Sequence, residues 1–159
     1  MNNLVVYLDS TAIIKRYVKE SGSDVVRKVY VKAYNGEHRI SFNLWNIGEV
    51  LGVLDRARRI NRINDDEYLL LRRRFLLETR RLFKLGILVL VPLKIKILRE
   101  TWKLIEKHHV YEADAVQIVS AKHVKTTDFL TGDKRLHEIY ILIISKISNF
   151  LAERKKLIL

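Results

Sequence analysis

Four acids in this chain sit in surroundings where carboxylates do more than keep a surface wet. Asp9 ends the apolar run LVVYLD, Glu49 lies in NIGEVLGVL, Asp114 in YEADAVQIVSAK, and Asp133 in DFLTGDKRL. Two carboxylates about 4 Å apart repel by roughly 4 kcal/mol at an effective dielectric of about 20, so acids that converge on one crevice need a proton or a cation between them. All-oxygen ligands without His or Cys suit Mg²⁺ or Mn²⁺ rather than zinc. Such an ion can hold a phosphodiester oxygen, acidify a water for attack and steady the leaving oxygen of an in-line displacement. Each acid also has a plainer use. Asp9 can cap or turn the chain, Glu49 can pair with Arg56, Asp114 can answer a helix dipole, and Asp133 can cap the helix that follows it. Which use holds depends on whether the fold brings them together.

The β-branched and aromatic run Leu4–Leu8 suits a strand buried on both faces of a parallel sheet. Asp9 ends it, and Ser10 is the expected N-cap of a helix from Thr11 to about Lys19. Ser23 is expected to cap a helix over Asp24–Tyr34, closed by Gly36. His38–Phe42 reads as a strand. Asn43 then caps a helix with the stripe Leu44, Ile47, Val50, Leu51 and Leu54, and Asn64 caps another through Tyr68, Leu71, Phe75 and Leu82. Ile87–Val91 is a strand, Lys94–His109 a helix with Trp102 turned inward, and Glu112–His123 a deeply packed helix of small residues. Asp128–Thr131 reads as a strand, Lys134–Glu138 as a short helix, Tyr140–Ile144 as a strand, and Ser148 to about Lys156 as a last helix. Strands alternating with helices predict a three-layer α/β/α sandwich around a mainly parallel sheet. In such sheets ligands collect beyond the carboxyl ends of the strands, where Asp9 and the turn after Thr131 would both lie.

The composition fits a single globular domain over residues 1–159: 48% hydrophobic and 30% charged residues, with no linker or repeat. The apolar stretch Leu85–Leu93 is too short to span a bilayer, and Asp9 interrupts the N-terminal run, so a cytoplasmic protein with no membrane partner is expected. Without cysteine there is no disulfide, thiolate metal site or cysteine nucleophile. Thirty Lys and Arg against eighteen Asp and Glu give a net charge of +12, which favours a polyanionic partner. The same charge, with a single glutamine, also suits a solvated surface adapted to heat. Arg56, Arg58, Arg59 and Arg62, then Arg72, Arg73, Arg74, Arg80, Arg81 and Lys84, gather on two successive helices, and Lys15 and Arg16 lie close to Asp9. Trp45 and Trp102 are expected in the core, and His108 and His109 read as structural.

The four acid-bearing segments, in order, resemble the motifs of PIN-domain nucleases, most closely VapC-like toxin ribonucleases: LDSTAIIKRYVKE the first, NIGEVLGVL the second, ADAVQIVSA the third and FLTGDKRL the fourth. The resemblance spans nearly the whole chain. Ser10 and Thr11 stand in the reverse of the common Asp-Thr-Ser order, and the tail beyond Ser145 carries little of the pattern. The likeness implies that Asp9, Glu49, Asp114 and Asp133 form the catalytic, metal-binding quartet. Thr11 and Thr131 would be its companion hydroxyls, and Ser10 and Glu112 supporting residues; the need for positive charge beside such acids points to Lys15, Arg16, Arg56 and Arg59 as contacts to RNA. The likeness also implies an Mg²⁺- or Mn²⁺-dependent endoribonuclease that leaves a 5′-phosphate and a 3′-hydroxyl, a homodimer, and, for a toxin, a small cognate antitoxin. A PIN processing nuclease without an antitoxin and a non-catalytic RNA-binding module share the fold. A phosphoacceptor receiver domain fits less well, since the first strand ends in one acid rather than being followed by a pair.

Overall fold

The computed structural model describes residues 4–143. The chain runs β1 (Val5–Leu8), α1 (Ser10–Ile14), α2 (Ser23–Tyr34), β2 (Arg39–Asn43), α3 (Leu44–Arg59), α4 (Asp65–Lys84), β3 (Leu88–Val91), α5 (Ile95–His108), α6 (Glu112–His123) and β4 (Asp128–Leu130). A further helix, α7, covers residues 134–143. All three strand pairings are parallel, in the order β3-β2-β1-β4.

The period-two alternation of the strands divides the core between two faces. Val6, Leu8, Ile40 and Phe42 point to one side and pack with Ala12 and Ile13 of α1, Tyr30 of α2, Val50 and Leu54 of α3, and Phe75 and Leu82 of α4. Tyr7 points to the other side and packs with Ile97 of α5, Ile118, Val119 and Ala121 of α6, Phe129 of β4, and Leu136 and Tyr140 of α7. This is the three-layer α/β/α arrangement. Among the described residues no helix is long and apolar enough to cross a membrane.

Local chemistry sets most boundaries. Asn43 and Asn64 each close a capping box, with Asn46 and Glu67 as reciprocal partners. Gly36 takes φ +78° after α2, a backbone conformation that glycine adopts without strain. Three expectations are corrected. Asp9, not Ser10, caps α1, which ends at Ile14 rather than Lys19. Ser23 does not cap α2: its hydroxyl accepts from the Glu20 N–H and donates to the Val18 carbonyl, tying the preceding turn. Residues 140–143 are helical, not a strand, because Leu136, Tyr140 and Ile143 form a helix-spaced stripe against Phe129 and α6. Ile144 and the helix expected at Ser148–Lys156 lie outside the described residues.

Between α1, α2 and α4 a half-buried acid ties three elements. Glu78 accepts two bonds from the Arg16 guanidinium, at 2.9 and 3.2 Å, and one each from the Tyr17 and Tyr34 hydroxyls. Arg16 also lies 4.9 Å from the Tyr30 ring centre. These bonds hold the Glu78 carboxyl below its ordinary range although burial alone would raise it. Glu78→Ala would strand the Arg16 charge and two hydroxyls. It is expected to cost about 2–4 kcal/mol in urea unfolding, and Arg16→Met with Glu78→Leu should recover part of that loss. An unchanged midpoint in Glu78→Ala would contradict the assignment.

Candidate active site

Parallel pairing of β1 with β4 aligns Leu8 with Leu130, so the chain leaves both strands side by side. The Asp9 N–H then donates to the Leu130 carbonyl at 3.2 Å, and the Asp9 side chain faces the turn Thr131–Asp133. Asp9 is 2% exposed. Its Oδ1 accepts from the Ala12 N–H at 2.8 Å and the Thr11 hydroxyl at 2.7 Å, and its Oδ2 accepts from the Thr131 hydroxyl at 2.5 Å.

Each hydroxyl is used in both senses, its proton donated to the carboxylate, which only accepts, and a lone pair taken by a backbone N–H. Thr11 Oγ1 accepts from the Gly132 N–H at 2.7 Å, and Thr131 Oγ1 accepts from the Asp133 N–H at 2.9 Å. The two hydroxyl protons are thus turned toward Asp9, one to each oxygen. Gly132 lies in a tight place: a β-carbon there would stand 3.1 Å from Thr11 Oγ1 and 3.1 Å from Lys15 Cε, so one of those side chains would have to shift slightly. Asp133 caps α7, its Oδ1 accepting from the Leu136 N–H at 3.1 Å.

Glu49 and Asp114 reach the same region from α3 and α6. Glu49 Oε2 accepts from Asn46 Nδ2 at 3.3 Å and Gln117 Nε2 at 3.1 Å. Burial raises the Glu49 carboxyl above its ordinary range, and the charges of Asp9 and Asp114 push the same way, against hydrogen bonds from Ser10 and Trp45. Burial also raises Asp114, with Asp133 and Asp9 adding to it and Arg135 opposing. Asp9 is raised by burial and by Asp133, despite its three donors. Asp9, Glu49 and Asp114 are thus each raised in part by the charge of at least one other of the four acids. Among the described residues no group of three or more His, Asp or Glu is drawn together into a ready metal cage. Glu112 is exposed in the first turn of α6.

The basic residues are placed unevenly. Arg16 is committed to Glu78. Lys15 donates to Glu20 at 2.8 Å and to the Ser21 carbonyl at 2.9 Å, while its stem passes Gly132. Arg59 pairs with Asp55, and Arg56 is exposed. Both tryptophans depart from the expected core positions: Trp45 is 46% exposed and Trp102 53% exposed. Trp45 borders an apolar groove with Leu44, Gly48, Leu93 and Glu49 itself. Residues not singled out from the sequence are Asn46, Gln117 and Tyr7, behind Glu49. The signal available was a lone glutamine among the small apolar residues of α6, three positions after Asp114.

Fold and site together define an α/β domain with acids gathered at the carboxyl edge of a parallel sheet. A family model for the PIN domain matches residues 6–142, and the chain belongs to the PIN domain family. Among solved structures it is similar to the crystal structure of VapC20 from Mycobacterium tuberculosis, described as a sarcin–ricin loop cleaving toxin. The TM-score is 0.60 at 8% identity, over 84% of this chain and 93% of that one. At that identity the likeness is one of fold. No curated protein sequence matches the chain.

The raised carboxyls fix the sign of a pH effect. Without metal, Asp9, Glu49 and Asp114 contribute stability that is complete below the ordinary carboxylate range and is lost as pH rises through their elevated folded values. Glu78, held low, contributes above that range and loses its contribution as pH falls through its depressed value. In EDTA the chain is expected to melt highest at mildly acidic pH, and Asp9→Asn to flatten the fall toward neutrality. Thermal scans from about pH 4 to about pH 8 check this; an equally steep fall in the variant would contradict it.

Proposed function

We propose that the chain is a divalent-metal-dependent endoribonuclease whose four acids, Asp9, Glu49, Asp114 and Asp133, work at the carboxyl edge of the sheet, and that it acts as the toxin of a toxin–antitoxin pair. The observation that carries this reading is the burial of Asp9 within a member of the PIN domain family, raised by the neighbouring charge of Asp133 and itself raising Glu49 and Asp114. Like charges so disposed call for a cation. The donor set is all oxygen, and Mg²⁺ is commonly held by one or two carboxylates while it keeps several waters, so the open spacing of these acids fits it. Asp9 and Asp114 would hold the ion, with Glu49 and Asp133 flanking it; Mn²⁺ would serve equally. When bound, the cation supplies positive charge to a phosphodiester and lowers the pKa of water at the site.

The chain's own groups set the geometry. Thr11 and Thr131 hold both oxygens of Asp9 in place, and Asp133 is fixed as the cap of α7, so these carboxylates need no rearrangement when a phosphate arrives. A phosphate must cross the acidic edge from solvent, and the exposed arginines of α3 and α4, Arg56, Arg72, Arg73 and Arg74, supply attraction along the approach. Lys15, beside Gly132, is placed to orient the strand near Asp9. The fold likeness to VapC20, described as a toxin, is in keeping with the toxin reading; a small antitoxin and a homodimer are proposed as its assembly. A catalytically silent RNA-binding module is the alternative, and the presence of all four acids favours the enzyme.

Incubation of the purified chain with a mixed RNA pool should give cutting in Mg²⁺ or Mn²⁺ and none in EDTA. Asp9→Asn and Asp114→Asn should lose more than about 100-fold in rate while still binding RNA. Binding without cutting in any metal would favour the silent module. In the binding assay Arg56→Ala should lower the slope of log affinity against log salt by about 0.7; an unaltered slope would remove Arg56 from the RNA path.

A further inference from the structure

Behind Glu49 lies a closed set of buried polar groups that the four acids do not account for. Asn46 is 0% exposed and Gln117 is 2% exposed, on α3 and α6 respectively. Tyr7, wholly buried on β1, donates its hydroxyl to Gln117 Oε1 at 2.8 Å and faces Asn46 Oδ1 at 3.4 Å. Asn46 Nδ2 donates to Gln117 Oε1 at 2.9 Å, and both amide nitrogens end on the same Glu49 oxygen, Oε2.

The sense of every amide in this set follows from one backbone group. The Asn43 N–H donates to Asn46 Oδ1 at 2.7 Å, and since it cannot accept, Asn46 must turn its NH₂ toward Gln117 and Glu49. Gln117 Oε1 is then filled by Asn46 and by the Tyr7 hydroxyl, which leaves the Gln117 NH₂ to face Glu49. Burial keeps the Tyr7 phenol protonated, hence a donor, over the whole working range. The result is two neutral donors aimed at one carboxylate oxygen, with their own acceptors occupied.

The placement of these residues in the chain is regular. Tyr7 stands two before Asp9 along the strand, Asn46 three before Glu49 on its helix, and Gln117 three after Asp114 on its helix. Those spacings put each on the same face as its acid. Three of the four segments that deliver an acid therefore also deliver one member of the set, and the members bond to one another. A core needing only stability would be served as well by apolar groups of the same size, without the cost of burying two amides and a hydroxyl.

The geometry points to Tyr7, Asn46 and Gln117 as positioning residues that lock the Glu49 carboxylate and set its separation from Asp9 and Asp114, an inference that rests on the nuclease reading of those acids. Glu49 is then presented at one distance and rotation however the substrate sits, which is the kind of support that lies behind metal-binding carboxylates in general.

The test uses the full chain, with Tyr7→Phe, which deletes one hydroxyl, and Gln117→Met, which keeps volume and deletes all three hydrogen bonds of the amide. Mn²⁺ binding is followed by electron paramagnetic resonance in the absence of RNA, and cleavage of a defined RNA by single-turnover and steady-state kinetics. Gln117→Met is expected to weaken Mn²⁺ binding and lower kcat by about 10-fold to 100-fold, with Tyr7→Phe in the same direction and smaller. KM for RNA should stay unchanged. On a Glu49→Gln background, Gln117→Met should cause no further loss, because its effect passes through Glu49. Mn²⁺ affinity and kcat unchanged in both variants, while Glu49→Gln is inactive, would overturn this inference and leave the nuclease reading standing. Losses that multiply on the Glu49→Gln background would also overturn it. A wild-type chain that neither binds Mn²⁺ nor cuts RNA would overturn both. Should Gln117→Met fail to fold, Tyr7→Phe decides.

Discussion

Asp9 is almost wholly withdrawn from water, and a carboxylate so placed must be met by donors or lose its charge. It is met by the Ala12 N–H and the hydroxyls of Thr11 and Thr131. Two of these come from the turn into α1, and the third arrives from the far end of the chain because β4 pairs with β1 in parallel register. Much else at this edge follows from that need. The Gly132 N–H feeds the Thr11 hydroxyl in a place with little room for a β-carbon, and Asp133 is carried to the edge by the same turn that delivers Thr131. The site is thus a way of keeping one ion ionisable where solvent cannot reach it.

A second acid is handled differently. Glu49 sits halfway between core and solvent and, beside its bonds from Ser10 and Trp45, is braced by two amides that are themselves tied into the core through Tyr7 and the Asn43 backbone. Hydroxyls suit Asp9 because each can accept from a backbone N–H and donate onward from a single atom. Amides suit Glu49 because each can accept at its oxygen and donate from its nitrogen, which joins α3 to α6. Among the described residues no buried side-chain nitrogen or oxygen is without a partner, so this polar layer is complete without added groups.

The sequence was most readable where local chemistry decides. Asn43 and Asn64 sit before long apolar stripes and cap them, and α6 keeps its expected bounds, Glu112–His123, because small apolar residues leave no alternative to burial. Where tertiary contacts decide, the local signal misleads. Ser10 is as good a cap as Asp9 in isolation, but burial of Asp9 against Thr131 directs its carboxylate back onto Ala12. The run YILI looks like a strand until Phe129 and α6 supply a face for a helix. Arg16 looks free for a phosphate until Glu78, 62 residues away, claims it. Trp45 lies on an apolar helix, yet no element covers its face among the described residues, and Gln117 shows its importance only once α3 stands beside it.

The register that joins Asp9 to Thr131 spans 122 residues of chain. Contacts of such long range form late, because the intervening loop must be ordered before they repay its closure. During synthesis the first acid emerges early and stays without its Thr131 bond until β4 has left the ribosome. The edge that carries Asp9 is therefore completed only after β4 is made, and a chain cut short before β4 would carry Asp9, Glu49 and Asp114 without Thr131 or Asp133 beside them. The topology itself delays closure of the acidic edge until β4 has paired with β1.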